Sequence, residues 1–298
     1  MTYQSILIPT DGSSDTEQTF EHGLALAERC GAAVDVLYVV DLGYTEEEVP
    51  TDSVWTSLYE EAEKEGEAAL TDFRDVAAKR YPDVPVTERI RAGHPARTIL
   101  DEIDQHSHDL VVMGPHRTSR LRRLFVGSTT ERVVRSSPVP VLTLRTETEE
   151  TPTDYENIVI ATDGSPGSSR AVQEGVDLAA EYGATVHAIY ALDSQYVRSY
   201  SIREFMEREG NRALRRVVDI AATAGVDIRD QMLEGYPNEA IVRYADRHDV
   251  DLVVVGTHGR TGLDRLVVGS VAAHVIRSAP VPVLTVRTVN DHRLPDQR

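Results

Sequence analysis

The sequence predicts an α/β protein of two tandem domains, each a five-stranded parallel sheet with helices on both faces. Three observations predict it: the length, an internal repeat, and the alternation of strand-like with helix-like segments. The chain has 298 residues, which fits two domains of about 150 residues better than one. Hydrophobic residues make up 41% of it, enough to build two cores.

The repeat spans the whole chain. The segment ILIPTDGS at 6–13 returns as IVIATDGS at 158–165, an offset of 152 residues. Later segments, DLVVMG at 109–114 and DLVVVG at 251–256, are offset by 142 residues. A repeat unit this long is a whole domain rather than a solenoid element. We therefore predict domain 1 at 1–147 and domain 2 at 155–290, joined by a Thr/Glu/Pro-rich linker around 146–154.

Strand-like and helix-like segments alternate in each half. Short runs rich in Val, Ile and Leu predict buried parallel strands at 5–10, 34–40, 84–91, 109–114, 139–145, 158–162, 185–191, 226–233, 251–256 and 281–287. Helices are predicted at 15–30, 53–80, 95–106, 128–136, 167–182, 199–224, 237–248 and 270–277. This order is typical of a doubly wound sheet.

The last strand of each half is predicted to lie at a sheet edge. Pro138 and Pro140 precede one such strand, and Pro280 and Pro282 precede the other. Proline cannot donate to a strand ladder, so it is confined to edges and strand starts. Because exposed edges need covering, we predict that 139–145 and 281–287 pair antiparallel across a pseudo-twofold axis.

Charge and composition exclude several classes of protein. The chain has 49 acidic against 31 basic residues, a formal net charge of -18. This balance argues against binding nucleic acid or an anionic membrane surface. An acidic chain with only Lys64 and Lys79 as lysines suits solubility at high salt and favours a halophilic host. No apolar run approaches the ~18 residues of a membrane span, and the N-terminus does not resemble a signal peptide.

The single cysteine and several other polar residues are predicted to be structural. Cys30, at the end of a helix, is expected to be a small buried residue, which fits a reducing cytoplasm. His106 and His108 are not expected to bind a metal, because side chains two apart on a helix diverge. The remaining predictions are packing or lid roles for Tyr196, Tyr200 and Phe205, and a solvated helix face for 60–65.

The first strand of each half is followed by Asp-Gly-Ser, at Asp11 and at Asp163. Ligands of open parallel sheets bind beyond the carboxyl ends of the strands, so this position can carry function. One interpretation is a turn followed by a helix N-cap. The other is a carboxylate that accepts hydrogen bonds from sugar hydroxyls, and the residues leave both open.

A glycine-rich segment follows the fourth strand of the second half. Gly256 and Gly259 stand three apart, nine residues intervene, and Gly269-Ser270 then opens a helix. Glycine permits close approach of the backbone, and a helix N-terminus offers unpaired N–H groups to an anion. The pattern favours a phosphate cradle made of main chain, with an ordinary surface loop as the alternative.

Both halves resemble the universal stress protein family in the Asp-Gly-Ser turn, in the Gly-x-x-Gly-x9-Gly-Ser signature and in the Pro-Val-Pro-Val-Leu edge. The resemblance implies a Rossmann-like fold of the adenine nucleotide alpha hydrolase-like type. It also implies ATP as ligand, with Mg²⁺ held mainly by the phosphates. In domain 2, Asp163 would hold the ribose, and Ala161 and Ala191 would meet the adenine. The phosphates would contact Gly256, Gly259, Gly269, Ser270 and Val271. His258 and Arg260 of the same loop are further candidate binding residues, and for His258 a solvent-facing position is the alternative to a phosphate contact.

Domain 1 departs from this pattern at one position. Its equivalent residues are Pro9, Asp11, Val39, Gly114, Arg117, Gly127, Ser128 and Thr129. Arg117 stands where the second glycine of the signature belongs. An arginine can pair with phosphate, but losing the glycine can forbid the backbone conformation of the loop. We therefore expect weaker ATP binding in domain 1.

The function expected from the sequence is a nucleotide-binding stress-response regulator in the cytoplasm rather than a fast enzyme. Phosphoryl transfer needs a positioned nucleophile and charge stabilisation, and no residue stands out as a general base. We predict no catalytic residue and no metal ligand from the chain. The alternatives are a slow ATPase or nucleotidyl transferase, and a ligand-free scaffold. A further homodimer of tandems is compatible with the sequence.

Overall fold

Two doubly wound α/β units form the protein in a computed structural model that describes residues 3–13, 15–41, 53–114, 127–144, 153–195, 200–257 and 268–287. The first unit contains β1 Ser5–Thr10, α1 Asp15–Cys30, β2 Ala33–Val40, α2 Ser53–Arg80, β3 Val86–Ala92, α3 Pro95–His106, β4 Leu110–Met113, α4 Ser128–Ser136 and β5 Val141–Thr143. The second contains β6 Asn157–Ala161, α5 Pro166–Tyr182, β7 Thr185–Leu192, α6 Tyr200–Ala224, β8 Ile228–Glu234, α7 Pro237–Arg247, β9 Leu252–Gly256, α8 Ser270–Ser278 and β10 Val283–Val286.

All the strands of the described residues belong to one ten-stranded sheet, in the order β3-β2-β1-β4-β5-β10-β9-β6-β7-β8. Neighbouring strands within each unit are parallel. The units meet where β5 pairs antiparallel with β10, with Leu142 opposite Leu284. This confirms the five-stranded parallel sheets and the predicted pairing of 139–145 with 281–287. The paired strands are shorter than predicted because Pro140 and Pro282 have no N–H to donate.

Helices cover both faces of the sheet, as predicted. Successive strand residues alternate between the faces, so Ile6 and Ile8 face one cluster while Leu7 faces the other. Residues of α1, α2, α5 and α6 join the first cluster, and residues of α3, α4, α7 and α8 join the second. Strands buried on both faces explain the nearly continuous apolar runs of the sequence.

Several structural predictions can be compared directly. Cys30 is buried, as expected for a small structural residue, and burial raises the pKa of its thiol to about 11. A packing role is wrong for Tyr200 and Phe205, which are 82% and 52% exposed. Both precede the stretch of α6 that faces the sheet, where burial begins at Gly210. Tyr196 lies outside the described residues.

The side chains of His106 and His108 do not diverge as predicted: α3 ends at His106, Ser107 has a positive φ of 55°, and the two rings are 6.0 Å apart beside buried carboxylates. Glu102, which is buried, accepts a hydrogen bond from Arg91 Nε at 2.6 Å and lies 3.2 Å from His106 Nε2. Arg89 Nε is 2.7 Å from Asp35 and 3.8 Å from Glu102, so a guanidinium lies between the two carboxylates. No group of three or more metal-ligating side chains occurs in the described ranges. Likewise, no helix in this part of the chain is long and apolar enough to cross a bilayer.

Candidate functional site

The carboxyl ends of β6, β7 and β9 bring together the strand residues of the domain 2 candidate site. Ala161, at the end of β6, pairs with Ile189 on one side and with Val255 on the other. Ala191 lies two residues beyond Ile189, and Gly256 directly follows Val255. These candidates therefore lie along one edge of the sheet, where ligands of doubly wound folds bind.

The Asp163 turn has a defined structural role. Asp163 Oδ1 accepts a hydrogen bond from Ser165 N at 2.9 Å, and Gly164 adopts a positive φ of 76°. Ser165 is the N-cap of α5, and its side chain accepts from Ser168 N at 3.3 Å. The turn and the N-cap are thus both present. This geometry fixes the carboxylate at the edge of the sheet, whatever else it binds.

The equivalent turn of domain 1 has the same conformation but is more open to solvent. Ser13 N donates to Asp11 Oδ1 at 3.0 Å, and Gly12 has a φ of 74°. Asp11 is exposed, whereas Asp163 is half-buried. The ring of Tyr38 lies close to Gly12, and burial, Glu65 and Asp11 together raise the pKa of its hydroxyl. Tyr38 is therefore a neutral hydrogen-bonding group at physiological pH.

Arg216 is a residue of this region that was missed from the sequence. It extends from α6 and donates through Nη2 to the carbonyl of Gly164 at 3.0 Å. Gly66 and Gly210 occupy equivalent places, since a Cβ on either would meet the ring of Tyr38 or Tyr190 at 2.7 Å. With these glycines aligned, Arg216 corresponds to Asp72. This difference in charge between equivalent positions was the sequence signal that could have identified Arg216.

Gly256 is at the point where β9 meets the first turn of α5. A Cβ at this position would be 3.0 Å from the carbonyl oxygen of Gly167 and 3.4 Å from Ser168 Cα. The two backbones approach each other so closely here that a side chain would force them to shift. Packing therefore favours glycine at this first position of the signature.

The two ends of the glycine-rich segment are hydrogen-bonded to each other. Thr257, which is buried, donates its N–H to the carbonyl of Val286 at 3.0 Å. Its own carbonyl accepts from Gly269 N at 2.8 Å. Residues on either side of the segment are thus held at the carboxyl edge of the sheet. His258, Gly259 and Arg260 lie outside the described residues.

Helix α8 begins at this same edge. Gly269 is its N-cap and offers no side chain to the first turn. Ser270 is exposed, while Val271 is half-buried against the core. The first N–H groups of a helix have no partner within it and carry the positive end of its dipole. An anion placed at the start of α8 would therefore be stabilised.

Domain 1 reproduces much of this arrangement. Pro9 pairs with Leu37, and Val39 lies two residues further along β2. Gly127 is the N-cap of α4, which starts with Ser128 and Thr129. The carbonyl of Gly114 accepts from Thr130 Oγ1 at 3.3 Å. Arg117 lies outside the part of the chain that the structure describes.

Fold and site together define a tandem α/β protein with two doubly wound sheets joined edge to edge. The sequence profile described as the Universal stress protein family matches residues 2–145 and 154–287. The chain therefore belongs to the universal stress protein family, with one copy of the family's domain in each half.

Individual relatives agree with this assignment. A universal stress protein of Methanocaldococcus jannaschii is 43% identical over 140 residues, which are 45% of this chain and 82% of the relative. Another, from Synechocystis, is 26% identical over 308 residues and matches 95% of this chain and 100% of the relative. The crystal structure of a universal stress protein from Archaeoglobus fulgidus has a TM-score of 0.76 at 20% identity, covering 96% of this chain and 99% of that one.

Proposed function

We propose that this protein is a stress-response regulator that binds ATP, with domain 2 as the stronger site. The observation that carries the proposal is the fixed geometry at the ends of the glycine-rich segment. Thr257 is hydrogen-bonded to both β10 and Gly269, so the end of β9 and the start of α8 are held together. A phosphate chain bound there would meet main-chain N–H groups and the positive end of a helix dipole.

The other parts of an adenine nucleotide have matching groups along the same edge. In the proposed complex, the Asp163 carboxylate accepts hydrogen bonds from the ribose hydroxyls. The main chain at Ala161 and Ala191 borders the adenine, where small side chains leave room for a ring. Ser270, which is exposed at the start of α8, adds a hydroxyl donor beside the phosphates. Mg²⁺ would neutralise the phosphates and be coordinated mainly by them.

We propose regulation rather than rapid turnover. The phosphate end of the proposed site consists of glycine backbone and a serine hydroxyl, which bind charge without activating water. Such a site can report nucleotide occupancy to a partner through its surface. Production of ADP at several turnovers per second would contradict this part of the proposal.

Calorimetric titration of the intact chain with ATP and Mg²⁺ tests the binding itself. Gly256→Ala is expected to weaken binding at least tenfold, because its new Cβ forces β9 and the first turn of α5 apart. Gly225→Ala is the matched control. Gly225 has a φ of 71° and no atom near its missing Cβ, so the change costs stability through backbone strain alone. No heat of binding at millimolar ATP in the unmodified protein would reject the proposal.

Paired aspartate variants test the difference between the halves. Asp163→Ala is expected to reduce affinity more than Asp11→Ala, because Asp163 belongs to the domain with the complete glycine signature. Both variants lose the main-chain hydrogen bond of the turn, and Asp11→Ala also loses the bond from the Ser13 hydroxyl, so a larger effect of Asp163→Ala cannot come from the turn bonds. Equal effects on the first binding event would contradict the asymmetry.

A further inference from the structure

Some contacts between the halves are symmetric. Thr143 Oγ1 donates to the carbonyl of Val283 at 3.1 Å, and Thr285 Oγ1 returns a bond to Val141 at 3.0 Å. With the offset of 152 residues, Tyr3 and Tyr155 are equivalent. Each hydroxyl reaches a helix of the other half, Tyr3 at Glu174 (3.4 Å) and Tyr155 at His22 (2.6 Å). The partners Glu174 and His22 are at equivalent positions but differ, so the strand contacts are symmetric in residue and position and the tyrosine contacts in position only. Contacts placed in this way can form between two like halves as well as between two unlike ones.

Arg29 makes a contact that has no such mirror image. Its Nε donates to the carbonyl of Glu181 and its Nη2 to that of Tyr182, both at 3.2 Å. Its guanidinium also lies 5.1 Å from the centre of the Tyr182 ring. The residue equivalent to Arg29 is Glu181, and the residue equivalent to Tyr182 is Cys30. Both sides of this contact therefore depend on residues that differ between the halves.

Arg170 makes a second contact of this type. Its Nη1 donates to the carbonyl of Pro138 in domain 1 at 3.2 Å. The same side chain lies 3.7 Å from Glu174, so it also balances the carboxylate that receives Tyr3. The equivalent residue of domain 1 is Gln18, which is shorter and uncharged. In this chain the bridge therefore runs from domain 2 to domain 1.

We propose that the surface joining the halves is specific for the unlike half of the chain, so that each domain selects the other rather than a second copy of itself. The symmetric strand contacts supply affinity. The equivalent residues that differ form two sets, Gln18, Arg29 and Cys30 in domain 1 and Arg170, Glu181 and Tyr182 in domain 2. Selectivity comes from Arg29, Glu181 and Tyr182, whereas Arg170 adds affinity because its acceptor is a main-chain carbonyl that both halves have.

Elementary electrostatics shows why like pairing is unfavourable. Arg29 donates to the last carbonyls of α5, the negative end of that helix, where a cation is stabilised. If two copies of domain 2 were paired, a glutamate would face those carbonyls and repel them. If two copies of domain 1 were paired, the arginine would find a cysteine in place of the aromatic ring. Specificity thus arises from a favourable contact in one pairing and a penalty in the others.

Exchanging the two sets within the intact chain tests the proposal. In the first variant domain 2 receives the domain 1 set (R170Q/E181R/Y182C), and in the second domain 1 receives the domain 2 set (Q18R/R29E/C30Y). Both create like surfaces and are expected to lower the Tm by several degrees. They should also speed amide exchange at Thr143 and Val283, an opposed pair whose N–H groups face the joint between the two strands. The variant that carries all six substitutions again has unlike surfaces, with the two sets exchanged between the domains. It should recover at least half of the decrease in Tm.

A single substitution covers the case in which a triple variant does not fold. Arg29→Glu should lower the Tm and open the joining strands to exchange, and adding Glu181→Arg should reverse part of both effects. Arg97→Glu is the control, since Arg97 is 71% exposed and pairs with Asp101 of its own helix. The proposal is overturned if Arg29→Glu costs no more than Arg97→Glu, or if the exchanged variants recover nothing.

Discussion

At the scale of single residues, Arg216 shows how one side chain distinguishes two otherwise similar turns. Its hydrogen bond to the Gly164 carbonyl fixes the turn that carries Asp163. We predict that Arg216→Ala weakens ATP binding to domain 2 about threefold to tenfold, which corresponds to one exposed hydrogen bond worth about 1 kcal/mol. Arg215→Ala removes the same charge from the neighbouring exposed position. Equal losses in the two variants, measured by calorimetry, would assign the effect to net charge instead.

His22 gives a prediction about pH. Burial lowers its pKa from 6.5 to about 4, and its Nε2 is bonded to the Tyr155 hydroxyl. The folded state keeps this ring neutral, so between pH 6.5 and 4 the unfolded state binds more protons. The contribution of His22 to the free energy of unfolding is therefore fully present above pH 6.5. It falls by about 3 kcal/mol as the pH decreases towards 4.

The matched variant is His22→Gln, which keeps a polar partner for Tyr155 but does not titrate. Urea unfolding at several pH values should show a smaller loss of stability in the variant across that window. Burial also lowers the pKa values of His108 and His187, but their contributions are common to both proteins and cancel. Parallel pH curves for the two proteins would contradict the assignment.

At the scale of elements, the threonines of the two joining strands are expected to hold the sheet together. Thr143 and Thr285 are buried, and each hydroxyl donates to a carbonyl of the opposite strand. T143V/T285V keeps the shape of both side chains but removes both bonds, at a cost of about 1 kcal/mol each. Thermal unfolding should show this loss. Thr87→Val, on the exposed edge strand β3, should leave the Tm nearly unchanged. A similar Tm for all three proteins would mean that these hydroxyls contribute nothing.

The first and last residues of the helices and strands could be predicted to within two residues. They depend on local features, namely the apolar runs and the glycines and prolines that end them. The antiparallel joint was also predictable, since two proline-flanked edges of nearly the same sequence had to be covered. Side-chain contacts between distant segments were not predictable. Arg29 and Arg216 belong to no motif, and although Arg216 differs in charge from its domain 1 equivalent, only the packed arrangement shows which carbonyls these side chains reach. Of the packing and lid roles predicted for Tyr200 and Phe205, packing is wrong because the buried part of α6 begins only after them, and a lid role stays a prediction.

At the scale of the whole molecule, net charge sets the conditions under which the fold is stable. A net charge of -18 opposes the compact state through self-repulsion, and added salt screens it. The Debye length falls from about 10 Å at 0.1 M salt to about 3 Å at 1 M. We therefore predict that the Tm rises by several degrees between 0.1 and 2 M KCl, measured by calorimetry on the same sample.

The acidic face of α2 offers a way to attribute that rise to repulsion. Four exposed glutamates lie on this helix: Glu60, Glu61, Glu65 and Glu67. Replacing all four by glutamine removes four negative charges without altering the core, so the Tm at low salt should increase and the gain on adding KCl should shrink. A general effect of salt on apolar burial would raise the Tm of both proteins by the same amount. The difference between the two salt curves therefore measures charge repulsion, and identical curves would show that repulsion between these charges does not limit stability.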